Sequence, residues 1–133
     1  MHFYNDWLKP KKPAYVPLEE TSYKKSISTI LESSGLPVIA HSTYLNEKKI
    51  LKLKKAGLLD IEVFTPYPND ELKHFYYKIA SKHKLIVSAG SDLHGKSIKK
   101  DVKLGNTCTD NLNIFKKMIS IYKDFYGKQP DCL

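Results

Sequence analysis

The chain has 133 residues, 41% hydrophobic and 27% charged. That is enough apolar material for one small domain, and it excludes a disordered tail, a collagen-like fibre and a disulfide scaffold. Basic residues outnumber acidic ones by 22 to 14, a formal net charge of +8, and all 22 are lysine.

No apolar run approaches the ~18 residues of a membrane span, and residues 1–12 contain no apolar signal-peptide core. No membrane partner is therefore expected, and the cytoplasm is the default. Cys108 and Cys132 read as two free thiols, since nothing else argues for export. The lysines fall in spread doublets such as Lys48-Lys49, Lys54-Lys55 and Lys99-Lys100, the pattern of solvated helix faces. Without arginine, the bidentate reading of guanine or phosphate is missing. The charge by itself argues more for a compositional bias than for specific nucleic-acid recognition.

Residues 1–20 hold Pro10, Pro13 and Pro17, so an irregular or extended lead-in is expected. Thr21 or Ser22 can cap a helix whose apolar positions are Tyr23, Ile27, Ile30 and Leu31, with Gly35 as its stop. The run 36–40 (LPVIA) reads as a short buried parallel strand. A second helix fits 46–55, with Ile50, Leu51 and Leu53 inward and Gly57 at its end. The pattern then repeats. Residues 61–64 (IEVF) read as a strand, 69–82 as a helix capped by Asn69, and 85–88 (LIVS) as a third strand. A glycine-bounded loop follows over 89–105. Asp110 or Asn111 caps a last helix, whose stripe is Leu112, Ile114, Phe115, Met118, Ile119 and Tyr122. This is an α/β alternation with parallel, helix-covered strands. Three short strands make a poor free-standing sheet, so the pattern reads as part of a βα-barrel.

In such architectures functional groups gather at the C-terminal ends of strands. His41 follows the first strand, Thr65 and Tyr67 the second, and Ser91, Asp92 and His94 the third. A carboxylate and an imidazole two residues apart, between Gly90 and Gly95, suit a borderline divalent ion. The alternative is that Asp92 caps a turn and His94 is a polar loop residue. Glu62 could face a barrel interior and support the site, or pair with a lysine. His74 and His83 read as surface, and His2 is discounted as part of an end expected to be mobile. Ser42, next to His41, points to the opposite face and is not a nucleophile paired with it.

Four stretches, in order, resemble the polymerase and histidinol phosphatase (PHP) family of metal-dependent phosphoesterases. Residues 12–17 (KPAYVP) are similar to a lead-in of its stand-alone nucleotide and RNA phosphoesterases. Residues 35–41 (GLPVIAH) resemble its GG-x-x-x-x-AHP motif, 61–64 its GIEVY strand, and 87–95 (VSAGSDLHG) its closing GSDFHG. The resemblance implies a distorted (β/α)₇ barrel holding two or three divalent ions, Mn²⁺, Zn²⁺ or Fe. It implies that His41, Asp92 and His94 are metal ligands; Glu62, Ser91 and Tyr44 are the candidates for supporting them or meeting substrate. The implied substrates are phosphorylated small molecules, nucleotides or RNA ends, attacked by a metal-activated water.

Two departures stand out. Ser42 replaces the proline of AHP, and the opening H-x-H is absent, His2 being followed by Phe3 and Tyr4. Three ligands cannot hold a two- or three-metal cluster. The expected organisation is a lead-in over 1–20, the C-terminal half of a PHP barrel over 21–126 and a tail over 127–133. Alone, the chain is expected to show little or no phosphatase activity; a single weakly held Zn²⁺ or Mn²⁺ remains an option. Its expected partner is the missing N-terminal half, or a second copy covering an exposed sheet edge. The alternative function is a non-catalytic fragment or a basic module for nucleic acid or protein.

Overall fold

A computed structural model of the chain describes residues 3–17, 19–95, 97–105, 107, 112–128 and 130. A short π-helical turn, Tyr4–Leu8, comes first. Then follow α1 (Tyr23–Glu32), β1 (Val38–Ile39), α2 (Glu47–Lys55), β2 (Asp60–Phe64), α3 (Asp70–Lys82), β3 (Ile86–Ala89) and α4 (Leu112–Tyr126). The α/β alternation is as the sequence indicates.

Local chemistry sets the helix ends. Ser22, Asn46 and Asn69 sit in extended conformation just before α1, α2 and α3, and each side chain accepts a hydrogen bond from the backbone N–H three residues on. Each satisfies a donor that the first helical turn would leave bare. The three C-termini share one solution, with paired 6→1 and 5→2 hydrogen bonds around a residue at positive φ. In α1, Gly35 N bonds Ile30 O at 2.8 Å and Ser34 N bonds Leu31 O at 3.0 Å. In α2 the left-handed residue is Gly57, and in α3 it is Lys84. Gly35 is therefore not the residue that turns α1; Ser34 is, at φ 58°.

The strands form one parallel sheet in the order β1-β2-β3. Alternation sends Ile61 and Val63 to one face. There they pack with Ile50, Tyr76, Ile79, Ala80 and Leu85 of the helices and of the turn into β3. Asp60 and Glu62 take the other face. Burial of each large core side chain stabilises by about 1.5–3 kcal/mol. The Tyr76 hydroxyl accepts from Leu45 N at 3.1 Å and shares a hydrogen bond with Ser42 Oγ at 3.2 Å, tying the segment after β1 to α3.

Several boundaries differ from expectation. β1 is only two residues, because buried Pro37 has no N–H to give a ladder and His41 turns the chain at φ 32°. β3 starts at Ile86, since the Leu85 N–H is used by Ala80 O in the α3 cap. The lead-in is not irregular throughout. No proline occurs before Pro10, and Tyr4–Leu8 coils, with the Phe3 and Trp7 rings stacked 6.4 Å apart. In α4, Ile114, Met118, Ile119 and Tyr122 are half-buried, but Phe115, placed with them by periodicity, is 51% exposed. Cys108, the cap candidates Asp110 and Asn111, Cys132 and His2 lie outside the described residues.

The position of α4 follows from its two ends. Asn113, Ile114 and Lys117 line a cavity with Tyr77, Ser81 and Leu85, near the entry of β3. Tyr126 OH donates to Gly35 O at 2.7 Å, near the entry of β1. The helix thus reaches β3 through its first turns and the segment before β1 through Tyr126. Among the described residues no helix is long and apolar enough to cross a membrane.

Candidate functional site

Every strand ends on the same side of the sheet, so His41, Tyr67 and the 91–94 segment meet along one edge. Glu62 links the first two strands there. Its Oε2 accepts from His41 N at 2.6 Å, across the β1–β2 boundary. Of the two roles open to Glu62, the structure places it at the site edge, bonded to backbone. Gly90 makes room for it: a Cβ there would lie 1.8 Å from Glu62 Oε1.

His41 and Asp92 both adopt positive φ, 32° and 51°. Histidine and aspartate are among the side chains that tolerate this region best, and it turns each residue sharply off its strand. The His41 ring meets Tyr67 edge-on, with centroids 5.9 Å apart and planes at 78°. Asp92 is the centre of the cluster. Its Oδ2 accepts hydrogen bonds from both Tyr67 OH and Lys99 Nζ, and Lys99 also donates to Tyr67 OH. Lys99 stands 5.0 Å from the Tyr67 ring centre, within cation–π range. His94 Nδ1 lies 2.8 Å from Asp92 O and 3.4 Å from Asp92 Oδ1.

The electrostatics follow these contacts. Hydrogen bonds from Lys99 first, then from Tyr67, hold the Asp92 carboxyl down to about 2, because both favour its charged form. Lys99 is raised in turn, first by its bond to Asp92 and then by its bond to Tyr67. Tyr67 was legible only as one of two polar residues past β2, and Lys99 only as half of a solvated doublet. The doublet reading fails here: Lys99 is in the loop, 29% exposed at its side chain, and salt-bridged to Asp92. The available signal was its place seven residues past Asp92 inside a glycine-bounded loop.

The other candidates fall differently. Ser91 is half-buried beside Asp92, and Tyr44 is 91% exposed. Neither hydrogen-bonds to the cluster among the described residues. His74 is exposed, but His83 is not simply surface: its Nε2 lies 2.7 Å from Glu47 Oε1. That bond, then one from Lys82, lowers the Glu47 carboxyl. Thr65, just past β2, is buried, and its hydroxyl has no partner among the described residues.

Solved structures share this arrangement of elements. One, from Bifidobacterium adolescentis and described as a metal-dependent phosphoesterase, matches with TM-score 0.70 at 26% identity. The fold is that of a partial phosphoesterase-type barrel. An amidohydrolase from Chromobacterium violaceum, solved with sulfate and no metal, matches with TM-score 0.59 at 27% identity. Each match covers 89% of this chain but 43% of the other, so the chain spans less than half the length of either neighbour. No family model and no curated protein matches the chain.

Imidazole and carboxylate on one edge are the right donor types for a borderline divalent ion. Their number and arrangement are not sufficient. Among the described residues no three His, Cys, Asp or Glu side chains come together as a metal-holding group, and Asp92 is engaged by Lys99 and Tyr67. The described residues do not make a metal centre by themselves.

Proposed function

We propose that this chain is the C-terminal part of a PHP-type, metal-dependent phosphoester hydrolase acting on nucleotides or RNA ends. In this reading the site is completed by sequence outside the chain, in the same polypeptide or a second one. The observation that carries it is the convergence of His41, Asp92 and His94 on one edge of a sheet that superposes on a phosphoesterase barrel over 89% of the chain. His41 and Asp92 come with built supports, the first held through its backbone by Glu62 and the second by Tyr67. These residues form one wall of a centre whose remaining ligands and divalent ions, Mn²⁺, Zn²⁺ or Fe, belong with the absent strands.

The test is complementation. The chain is combined with a polypeptide carrying the H-x-H end of the barrel, in trans or as a fusion, and assayed with Mn²⁺ or Zn²⁺. The substrates are nucleoside mono- and bisphosphates and 5′- and 3′-phosphorylated oligoribonucleotides. Turnover that needs both parts, and that falls at least about 100-fold in Asp92→Asn, is expected, since loss of a ligand removes a stabilised transition-state charge worth several kcal/mol. A properly assembled pair that hydrolyses none of these esters would sink the reading.

A further inference from the structure

The donor types at this edge suit a divalent ion, but its carboxylate is already paired with Lys99. The Asp92 carboxylate is 15% exposed at its side chain, and its neighbourhood already contains a cation. Lys99 donates to Asp92 Oδ2 and to Tyr67 OH, and Tyr67 donates to that same Oδ2. The three side chains close a ring of hydrogen bonds on one carboxylate oxygen. The ammonium also lies against the Tyr67 ring, and the His41 ring abuts Tyr67 from its edge. On Asp92, only Oδ1 remains outside this ring, and the His94 imidazole stands 3.4 Å from it.

We propose that Lys99 is the resident cation of this edge: with Tyr67 it occupies the Asp92 carboxylate, and a divalent ion gains that ligand only by displacing it. This rests on Asp92 being a metal ligand, as proposed above, and goes further by assigning Lys99 and Tyr67 a role that metal ligation does not require. The physical ground is competition for one charge. A charge-assisted hydrogen bond to a carboxylate is about twice as strong as a neutral one, and an incoming ion must replace it before the carboxylate is free to bind. The displaced ammonium then stays at the edge of the site, tethered through the 95–99 segment by the Ile98 N and Lys99 N bonds to Gly95 O, both 3.1 Å. Lys99 is a positioning residue in this scheme, not a ligand.

The test uses the whole chain and the metal alone, with no substrate. Mn²⁺ binding is measured by water-proton relaxation and by calorimetry for the natural chain and for Lys99→Met, Lys99→Arg, Lys103→Met, Asp92→Asn and Lys99→Met/Asp92→Asn. Partners next to a metal ligand change affinity by about 10- to 100-fold, so Lys99→Met is expected to tighten Mn²⁺ at least about tenfold. Lys99→Arg keeps the pairing and should stay within about twofold of the natural chain. Exposed Lys103 removes the same charge from the same loop without the contact, and salt screens it; Lys103→Met should change little. The gain should vanish in the double variant. Circular dichroism checks folding, and Tyr67→Phe serves as a second, milder release should Lys99→Met be misfolded. If Lys99→Met binds no tighter while Asp92→Asn abolishes binding, Asp92 is a ligand and the competition is wrong. If neither variant alters Mn²⁺ affinity, both the competition and the assignment of Asp92 fall; if no variant binds the ion, the competition alone falls, and Asp92 is judged by the complementation assay, which supplies the remaining ligands.

Discussion

Position 90 decides where the Glu62 carboxylate can sit. A methyl group there would lie 1.8 Å from Oε1 and 3.0 Å from Cδ of Glu62, so Gly90→Ala must push the carboxylate off the His41 N–H it accepts from. A hydrogen bond to a charged group contributes about 1.5–3 kcal/mol, and part is recovered as the side chain swings to water. Gly90→Ala should therefore cost about 1–2 kcal/mol in urea unfolding, and much less in a Glu62→Ala background. Equal costs in both backgrounds would mean that Gly90 matters for another reason. Asp60, on the same face of β2, makes a pH prediction. It is fully buried, and neither carboxylate oxygen makes a hydrogen bond of good geometry among the described residues, although Ser88 lies close enough to favour the charged form. Burial raises its carboxyl from 3.8 to about 6, partly offset by Ser88. A folded-state value above the unfolded one means that the folded chain holds the proton more tightly. The stability this confers is present below about pH 4 and lost as pH rises through 6. Two pH units correspond to up to about 3 kcal/mol. Asp60→Asn should match the natural chain near pH 4 and exceed it in urea midpoint at pH 7.5; a constant difference at both pH values would contradict this.

The helix N-termini were the most legible elements, because capping is local chemistry. Ser22, Asn46 and Asn69 are short polar side chains placed just before an apolar period, and each caps as its type predicts. β1 was less legible, since its ending depends on the turn at His41 and on the missing N–H of Pro37, neither of which periodicity reports. The site divides the same way. His41, Asp92 and His94 could be placed on one edge because strand ends converge in a parallel sheet. Lys99 could not, because it reaches Tyr67 across 32 residues from a loop that carries no period. One prediction belongs at this scale. α1 and α2 end in the same motif, but the left-handed position is Ser34 in one and Gly57 in the other. A left-handed non-glycine residue costs about 1–2 kcal/mol, against about 0.5–1 kcal/mol of extra chain entropy that glycine loses on folding. Ser34→Gly should therefore stabilise the chain by about 0.5–1 kcal/mol. Gly57→Ala should do the reverse and by more, since its Cβ would lie 2.8 Å from Leu31 Cδ1 and 3.2 Å from Ile27 Cγ2. Thermal melts of the two variants check the opposite signs, and a Ser34→Gly variant that melts lower would overturn the assignment of strain to that turn.

For its mass the whole molecule exposes too much surface. A compact 15.3 kDa monomer exposes about 7,100 Å², whereas this chain exposes 9994 Å². The excess, roughly 2,900 Å², is of the order that obligate interfaces bury. Some of it is apolar and contiguous in sequence: Phe3 is 67% exposed, Tyr4 53%, Trp7 49% and Val16 76%. The sheet adds its share, because among the described residues β1 pairs on one side only and Val38 is 39% exposed; an open parallel edge is a template for another strand. All of these residues precede α2 in the chain. The chain by itself should therefore self-associate, with a weight-average mass that rises with concentration in light scattering. A polypeptide carrying the rest of the barrel should replace that behaviour with a one-to-one complex. The complex should unfold with a larger urea m-value than the sum of its parts, since m scales with the area exposed on unfolding. A chain that stays monomeric at every concentration and ignores the complementary part would mean that the excess area is loop surface meant for water, and would remove the physical reason for expecting a partner.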